Sequence, residues 1–362
     1  MVQNERVKKT RAAMQQNGVD ALLITTMADI RYYTEIDFHS GERFVGLLMT
    51  QDKLLLIINK LFPMLPTAGL TIQSYDDIEE PVKYVVDQLP DGITIGIDKF
   101  MASQFLLRII NMRSDLKLTL GSAIVDRVKM VKTKEEVSKM IKASQINDRV
   151  MDMVAAYLKA ASADNVTELE VAAKIAQFNE SVGIDELSFT PIVCFGKNAA
   201  EPHHENDETV LEDGMGIIVD MGGLSEGYCS DMTRTFFKGQ PDEQFKKVYE
   251  IVKTANERAI ATVKPGVKLS EVDAAARQYI TEMGYGDYFT HRTGHGIGAD
   301  VHEFPDVSAV SDVICEPGMT FSIEPGIYLT DKFGIRIEDL VCVTEEGCRV
   351  LNDFSKNLIN FK

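Results

Sequence analysis

Apolar residues recur at helical spacing over residues 3–17, and Asn17-Gly18 closes the run, so the pattern predicts an amphipathic helix with a C-terminal stop. The unbroken apolar stretch Ala21-Leu22-Leu23-Ile24 reads as a strand. Further strands are predicted over 44–50, 53–58 and 93–97, and helices over 79–89 and 102–112. This alternation predicts an α/β domain over residues 1–126. A long helical pattern over 134–161, rich in Lys, Glu, Met and Ala, opens a second domain over 127–362. There, helices over 167–182, 242–263 and 269–283 alternate with strand-like runs over 189–195, 215–221, 228–237, 319–324 and 334–343.

The second domain carries an internal echo. Glu170-Val171 recurs as Glu271-Val272, Gln177-Phe178 as Gln278-Tyr279 and Gly183 as Gly284, all at an offset of 101. Each copy is a helix leading into a glycine. If the repeat is structural, this domain is two similar halves, and a site can lie between them.

Composition is that of an ordinary globular chain, with 45% hydrophobic and 26% charged residues. A net charge of −17 argues against a nucleic-acid surface, which needs a basic patch. The five cysteines are odd in number and lack a C-x-x-C spacing. No signal-like apolar segment follows the charged start, and no apolar run approaches the length of a membrane span. The expectation is a cytosolic protein with reduced thiols and no membrane contact. In the first domain, Asp37, His39, Ser40, Gly41, Glu42 and Arg43 form a polar loop, read as plain surface.

Charge changes the picture most at one hairpin. The run Ile217-Ile218-Val219 ends in Asp220, a Gly-rich turn follows, and the returning strand carries Asp231. A turn centred between Ser225 and Glu226 sets Asp220 opposite Asp231. Opposed residues hold their Cβ atoms about 4.5–5.5 Å apart, and like charges there repel. A buried pair implies a shared proton or a cation; a register one or two residues off leaves two solvated edge residues instead. The same symmetry recurs about Asp331, which places Glu324 opposite Glu338. Arg336 shares a face with Glu338 and is expected to orient that carboxylate by a salt bridge.

Five of the six histidines lie between 203 and 302. In His291-Arg292-Thr293-Gly294-His295-Gly296-Ile297-Gly298, the glycines are expected to admit close backbone approach and to leave the His295 imidazole accessible. The spacing is not that of a phosphate loop. Two Asp, two Glu and one His form a hard donor set that suits Mn2+, Co2+ or Zn2+, with charge enough for two divalent ions. Arg292 is open to two readings, contact with a substrate carboxylate or a surface charge.

At these residues the sequence resembles the pita-bread metallopeptidases, the family of methionine aminopeptidase, Xaa-Pro aminopeptidase and prolidase. The pieces are Pro202-His203, Asp220 through Thr235, His291 through Gly298, Val301-His302-Glu303, Ser322-Ile323-Glu324-Pro325-Gly326 and Arg336-Ile337-Glu338-Asp339, in the family's order over roughly 130–350. The preceding α/β domain resembles that of the proline-specific branch. The resemblance implies an α/β N-terminal domain before an α+β pita-bread catalytic domain with internal pseudo-symmetry. It implies that Asp220, Asp231, His295, Glu324 and Glu338 hold two divalent metals, Mn2+ first, with Asp231 and Glu338 bridging. Glu324 would also act as general base or proton shuttle. His203 and His302 would hold the scissile carbonyl, His291 would line the substrate pocket, and Arg336 would stand beside the substrate. His204 falls off the motif and reads as an exposed neighbour.

The expected activity is that of an Xaa-Pro dipeptidase, in which a hydroxide bridging the two metals attacks the bond before proline. The alternatives are an Xaa-Pro aminopeptidase acting on longer peptides and a non-catalytic binding module of the same fold. The resemblance further implies a homodimer and a peptide substrate with proline at its second position.

Overall fold

Six strands form the sheet of the first unit, in the order 71–75, 54–59, 46–50, 21–24, 94–97 and 117–120. The computed structural model describes residues 2–36, 41–64, 67–161, 165–184 and 186–361, and the chain divides into two units, Met1–Lys129 and Met130–Lys362. Ala21–Ile24 lies inside the first sheet, buried along its whole length, as an unbroken apolar run requires. Of the two edge strands, Thr71–Tyr75 buries only Tyr75 and Lys117–Leu120 is exposed throughout, so neither gives an apolar signal in the sequence. The helix predicted over 79–89 contracts to Lys83–Val86, with Pro81 before it and Pro90 beyond it. Of the polar loop, residues 37–40 lie outside the described residues. Arg43 forms a two-pronged pair with Asp77, both bonds 2.9 Å.

The second unit repeats one plan twice. Helices Lys134–Ala161 and Glu168–Ser181 share a core with the sheet of Ile192–Phe195, Gly216–Met221, Met232–Lys238 and Ile359–Phe361. Helices Glu243–Thr262 and Leu269–Glu282 do the same with the sheet of Glu303–Val307, Gly294–Gly296, Thr320–Ile323, Asp339–Val343 and Cys348–Val350. The sequence echo is structural: Glu168–Ser181 and Leu269–Glu282 match end for end at the offset of 101. Glu170 and Glu271 each bond back to the backbone amide at the start of their helix. Gly183 and Gly284 end both copies with φ of +85° and +86°.

The first hairpin is offset from its expected register. Met232 pairs with Met221 and Thr233 with Asp220, while Tyr228 pairs with Ser225. The turn is therefore centred between Glu226 and Gly227, not between Ser225 and Glu226. Both central residues have positive φ, +51° and +80°, the backbone of a two-residue hairpin turn whose twist matches the strands. Glycine at 227 sets the turn, and the slip amounts to two residues. Because side chains alternate faces, a slip of two keeps Asp220 and Asp231 on one face, as diagonal rather than opposed neighbours. The second hairpin keeps the symmetry about Asp331: Gly326 pairs with Arg336, and Ile323 with Asp339.

Candidate metal centre

The strands break at the carboxylates. The run predicted over 228–237 is interrupted at Ser230-Asp231, and the one over 334–343 at Ile337-Glu338. Glu324 falls between strands Thr320–Ile323 and Gly326–Leu329. Only Asp220 lies within a ladder. These interruptions release side chains from the pleat and gather them on one cavity of about 360 Å3. Its lining includes Asp220, Asp231, His295, Glu324 and Glu338, together with His203, His291, Arg292, His302 and Arg336.

His295 is buried, not accessible. The glycines beside it serve the backbone instead: a Cβ at Gly294 would lie 1.9 Å from the Ser322 carbonyl oxygen. The ring therefore enters the cage from a tightly packed strand. Its Nδ1 donates to the Gly296 carbonyl at 3.1 Å, which leaves the Nε2 lone pair facing Glu324 at 3.4 Å and Asp231 at 3.7 Å. A lone pair facing two carboxylate oxygens is repulsive unless a cation lies among them. The ring of His302 packs edge-on against it, with centroids 4.3 Å apart.

On the wall of this cavity, three buried carboxylate oxygens have no hydrogen-bond partner: Asp220 Oδ1, Asp231 Oδ1 and Glu338 Oε1. An unpaired buried acceptor costs about 1–3 kcal/mol, more when charged. Donor atoms of Asp231, His295 and Glu338 lie within 4.8 Å of one another. Hard oxygen donors with a single imidazole fit divalent Mn, Co or Zn and do not fit a structural zinc. The residues present thus suit divalent cations.

Without a cation the cage holds protons. Burial raises the Asp231 carboxyl well above its usual range, and the charges of Glu338, Asp220 and Glu324 raise it further. Burial and Glu324 do the same to Glu338. Glu324 is pushed up to about 7, chiefly by burial, with Arg336 pulling the other way. Burial lowers His295 to about 3 and His291 to about 4, and it also lowers His302. All three imidazoles are neutral at pH 7.

Arg336 does not pair with Glu338. Its Nη2 donates to Asp220 Oδ2 at 2.6 Å, and its Nε donates to Thr233 Oγ1 at 3.1 Å. Thr233 in turn donates to Glu338 at 3.0 Å. The register explains the exchange, because Thr233 stands opposite Asp220. Nη1 reaches Tyr328 Oη at 3.1 Å and the Pro202 carbonyl at 3.4 Å. Burial opposes the guanidinium charge, but Tyr328 and Asp220 outweigh it and raise the pKa above its ordinary value. His291 Nε2 lies 2.8 Å from Tyr328 Oη. Ser322 Oγ accepts from the His295 amide at 3.0 Å and donates to Glu324 at 3.3 Å. The sequence reading placed Thr233 and Ser322 inside motifs without giving them a role, and it passed over Tyr328. Their signal was parity, since each lies an even number of residues from Asp231 or Glu324 along an extended run.

His204 is not an exposed neighbour. Its side chain is 11% exposed and bonds the fully buried Glu168 at 2.8 Å. His203 is the exposed member of the pair. Arg292 lines the cavity and pairs with Asp306.

The cage between two repeated halves is one piece of a wider likeness. Residues 138–345 match metallopeptidase family M24, residues 6–131 match the creatinase/prolidase N-terminal domain, and the chain belongs to family M24. An uncharacterized peptidase of Staphylococcus aureus is 35% identical, covering 97% of this chain and 99% of its own. A prolidase from Thermococcus sibiricus superposes with a TM-score of 0.92 at 33% identity, over 99% of both chains. A dipeptidase from Pyrococcus horikoshii OT3 superposes at 0.91 with 35% identity, over 98% of this chain and 99% of its own. Among the described residues, no helix is long and apolar enough to cross a membrane.

Proposed function

We propose that the chain is an Xaa-Pro dipeptidase that works with two divalent metal ions, Mn2+ first among Mn2+, Co2+ and Zn2+. The carrying observation is the set of unpartnered buried oxygens on Asp220, Asp231 and Glu338 beside the inward lone pair of His295. Asp220, Asp231, His295, Glu324 and Glu338 would hold the ions. When bound, the ions would neutralise the cage and supply a water ionised near neutral pH together with Lewis acidity toward the carbonyl.

The chain's own groups do the rest. Glu324 is held in the cage by the Ser322 hydroxyl, so it can take a proton from water and return it to the departing proline nitrogen. His203 and His302 stand on the cavity wall, where they can hold the carbonyl oxygen as charge develops on it. His291, neutral and braced by Tyr328, lines the pocket for the substrate. Arg336 is occupied by Asp220, Thr233 and Tyr328, so its part beside the substrate is to hold the cage in shape. Arg292 supports the dipeptidase reading, because a cation on the cavity wall suits the free carboxylate of a dipeptide. The likeness to prolidase and dipeptidase structures supports the same choice. Five free cysteines fit a reducing cytosol, and a homodimer is the assembly expected.

The test compares Mn2+-loaded protein on Ala-Pro and on Ala-Pro-Ala. Cleavage of Ala-Pro is expected. Cleavage of the tripeptide alone moves the reading to an aminopeptidase, and a protein that binds none of Mn2+, Co2+ and Zn2+ is neither.

A further inference from the structure

The geometry points to Glu168 and His204 as a positioning pair that fixes His203 in the cavity wall. The inference rests on the role proposed above for His203. Glu168 has no solvent exposure, and both its oxygens are doubly engaged. Oε1 accepts from the Phe195 amide at 2.6 Å and from the Asn198 side-chain amide at 3.0 Å. Oε2 accepts from His204 Nε2 at 2.8 Å and from the Asp207 amide at 3.1 Å. One carboxylate thus ties the end of strand Ile192–Phe195, the turn after it and the 201–207 loop to the start of helix Glu168–Ser181.

His203 sits inside this knot. The residue after it is held by Glu168, and the carbonyl of Pro202 before it is held by Arg336 at 3.4 Å. His203 itself faces the cavity and is exposed. An exposed ring cannot be placed by its own packing, so its neighbours must place it.

The internal repeat argues that the anchor is not a packing need. At the offset of 101, the position matching Glu168 is Leu269, which is also fully buried. A buried carboxylate is far costlier to fold around than a leucine. The half with leucine uses another device, since buried Asp273 binds Arg277, and Arg277 donates to the His291 carbonyl at 2.8 Å. Each half therefore spends a buried acid on holding one cavity histidine. Glu168, His204 and Asp207 do not form a second cation site, because four donors already fill the acceptor positions of Glu168.

The experiment uses the full chain, loaded with diamagnetic Zn2+ for the first of two readings and with Mn2+ for the second. The first is the side-chain NMR signal of His203. His204→Ala is expected to broaden or shift it, and His204→Gln, which keeps an N–H donor, to restore it. An unchanged His203 signal in His204→Ala overturns the proposal whatever the substrate proves to be. The second is turnover of Ala-Pro. His204→Ala is expected to lower kcat by about 10- to 100-fold, with KM and Mn2+ affinity nearly unchanged. In a His203→Ala background the same change is expected to cost nothing more; equal losses in both backgrounds overturn the proposal. Glu168→Gln, with the same volume, should follow His204→Ala. If His203→Ala alone leaves kcat/KM intact, the catalytic reading of His203 fails, while the NMR result still decides the positioning claim.

Discussion

Arg336 and Asp220 meet at 2.6 Å from opposite repeats of the second unit, Asp220 on the first half and Arg336 on the second. Four carboxylates share the cavity with this guanidinium, and it is the cation bound to one of them. Arg336→Met should therefore lower the melting temperature of chelated protein far more than that of Mn2+-loaded protein, in which metal supplies the missing charge. Breaking a buried pair costs about 3–5 kcal/mol. Calorimetry of both forms checks the difference, and equal losses in the two forms would count against the cage as a cation site.

The chelated protein should lose stability as pH rises. An acid with a folded pKa above its unfolded value binds more protons when folded, so its contribution is complete below the unfolded value and fades toward the folded one. For Glu324 that window runs from 4.5 to about 7. Asp231 and Glu338 act in the same direction. The melting temperature in chelator should fall as pH rises from about 5 to about 7.5, the range these shifts set. With metal present the trend should reverse, because ligation needs deprotonated carboxylates. A flat melting profile in chelator contradicts the assignment.

Asp231→Asn should separate stability from activity. It removes a carboxyl that burial and its acidic neighbours force to stay protonated in the chelated cage, so chelated protein should melt higher. Bound metal should fall below the two ions per chain proposed above, and kcat/KM should drop by at least about 100-fold. Elemental analysis alongside melting tests both halves of the expectation.

Thr233→Val tests the link between Arg336 and Glu338. It removes two buried hydrogen bonds, for a loss of about 1–3 kcal/mol. Mn2+ affinity should weaken by about 10- to 100-fold, as when the support of a metal ligand is removed. Titration calorimetry that finds unchanged affinity would show Glu338 to be held without it.

Arg292→Ala should raise KM for Ala-Pro by about 10-fold and leave hydrolysis of Ala-Pro amide unaffected, since the amide lacks the carboxylate. Equal effects on both substrates would make Arg292 a partner of Asp306 and nothing more.

The helices of the second unit were legible because they are long and periodic, and the cavity residues because they sit on ordered motifs. What the sequence hid has physical causes. The edge strands Thr71–Tyr75 and Lys117–Leu120 bury too little to show a pattern. The hairpin register turned on which residues accept positive φ, and Glu226 is an uncommon choice beside Gly227. The pairing of Arg336 followed from that register, because Thr233, rather than Asp231, stands opposite Asp220. Burial of His204 depended on Glu168, which is 36 residues away and reads in sequence as one more charge at a helix start.

The turn at Glu226-Gly227 also acts as a length gauge. Two residues is already the short limit for such a loop, so a one-residue deletion there cannot be absorbed by the turn. The ladder would have to slide by a single step, sending one of the two aspartates through the sheet to the face that packs on the helices. Changes of odd and even length in this loop should therefore have unequal fates. Parity, more than overall length, is what an insertion or deletion at this turn has to keep.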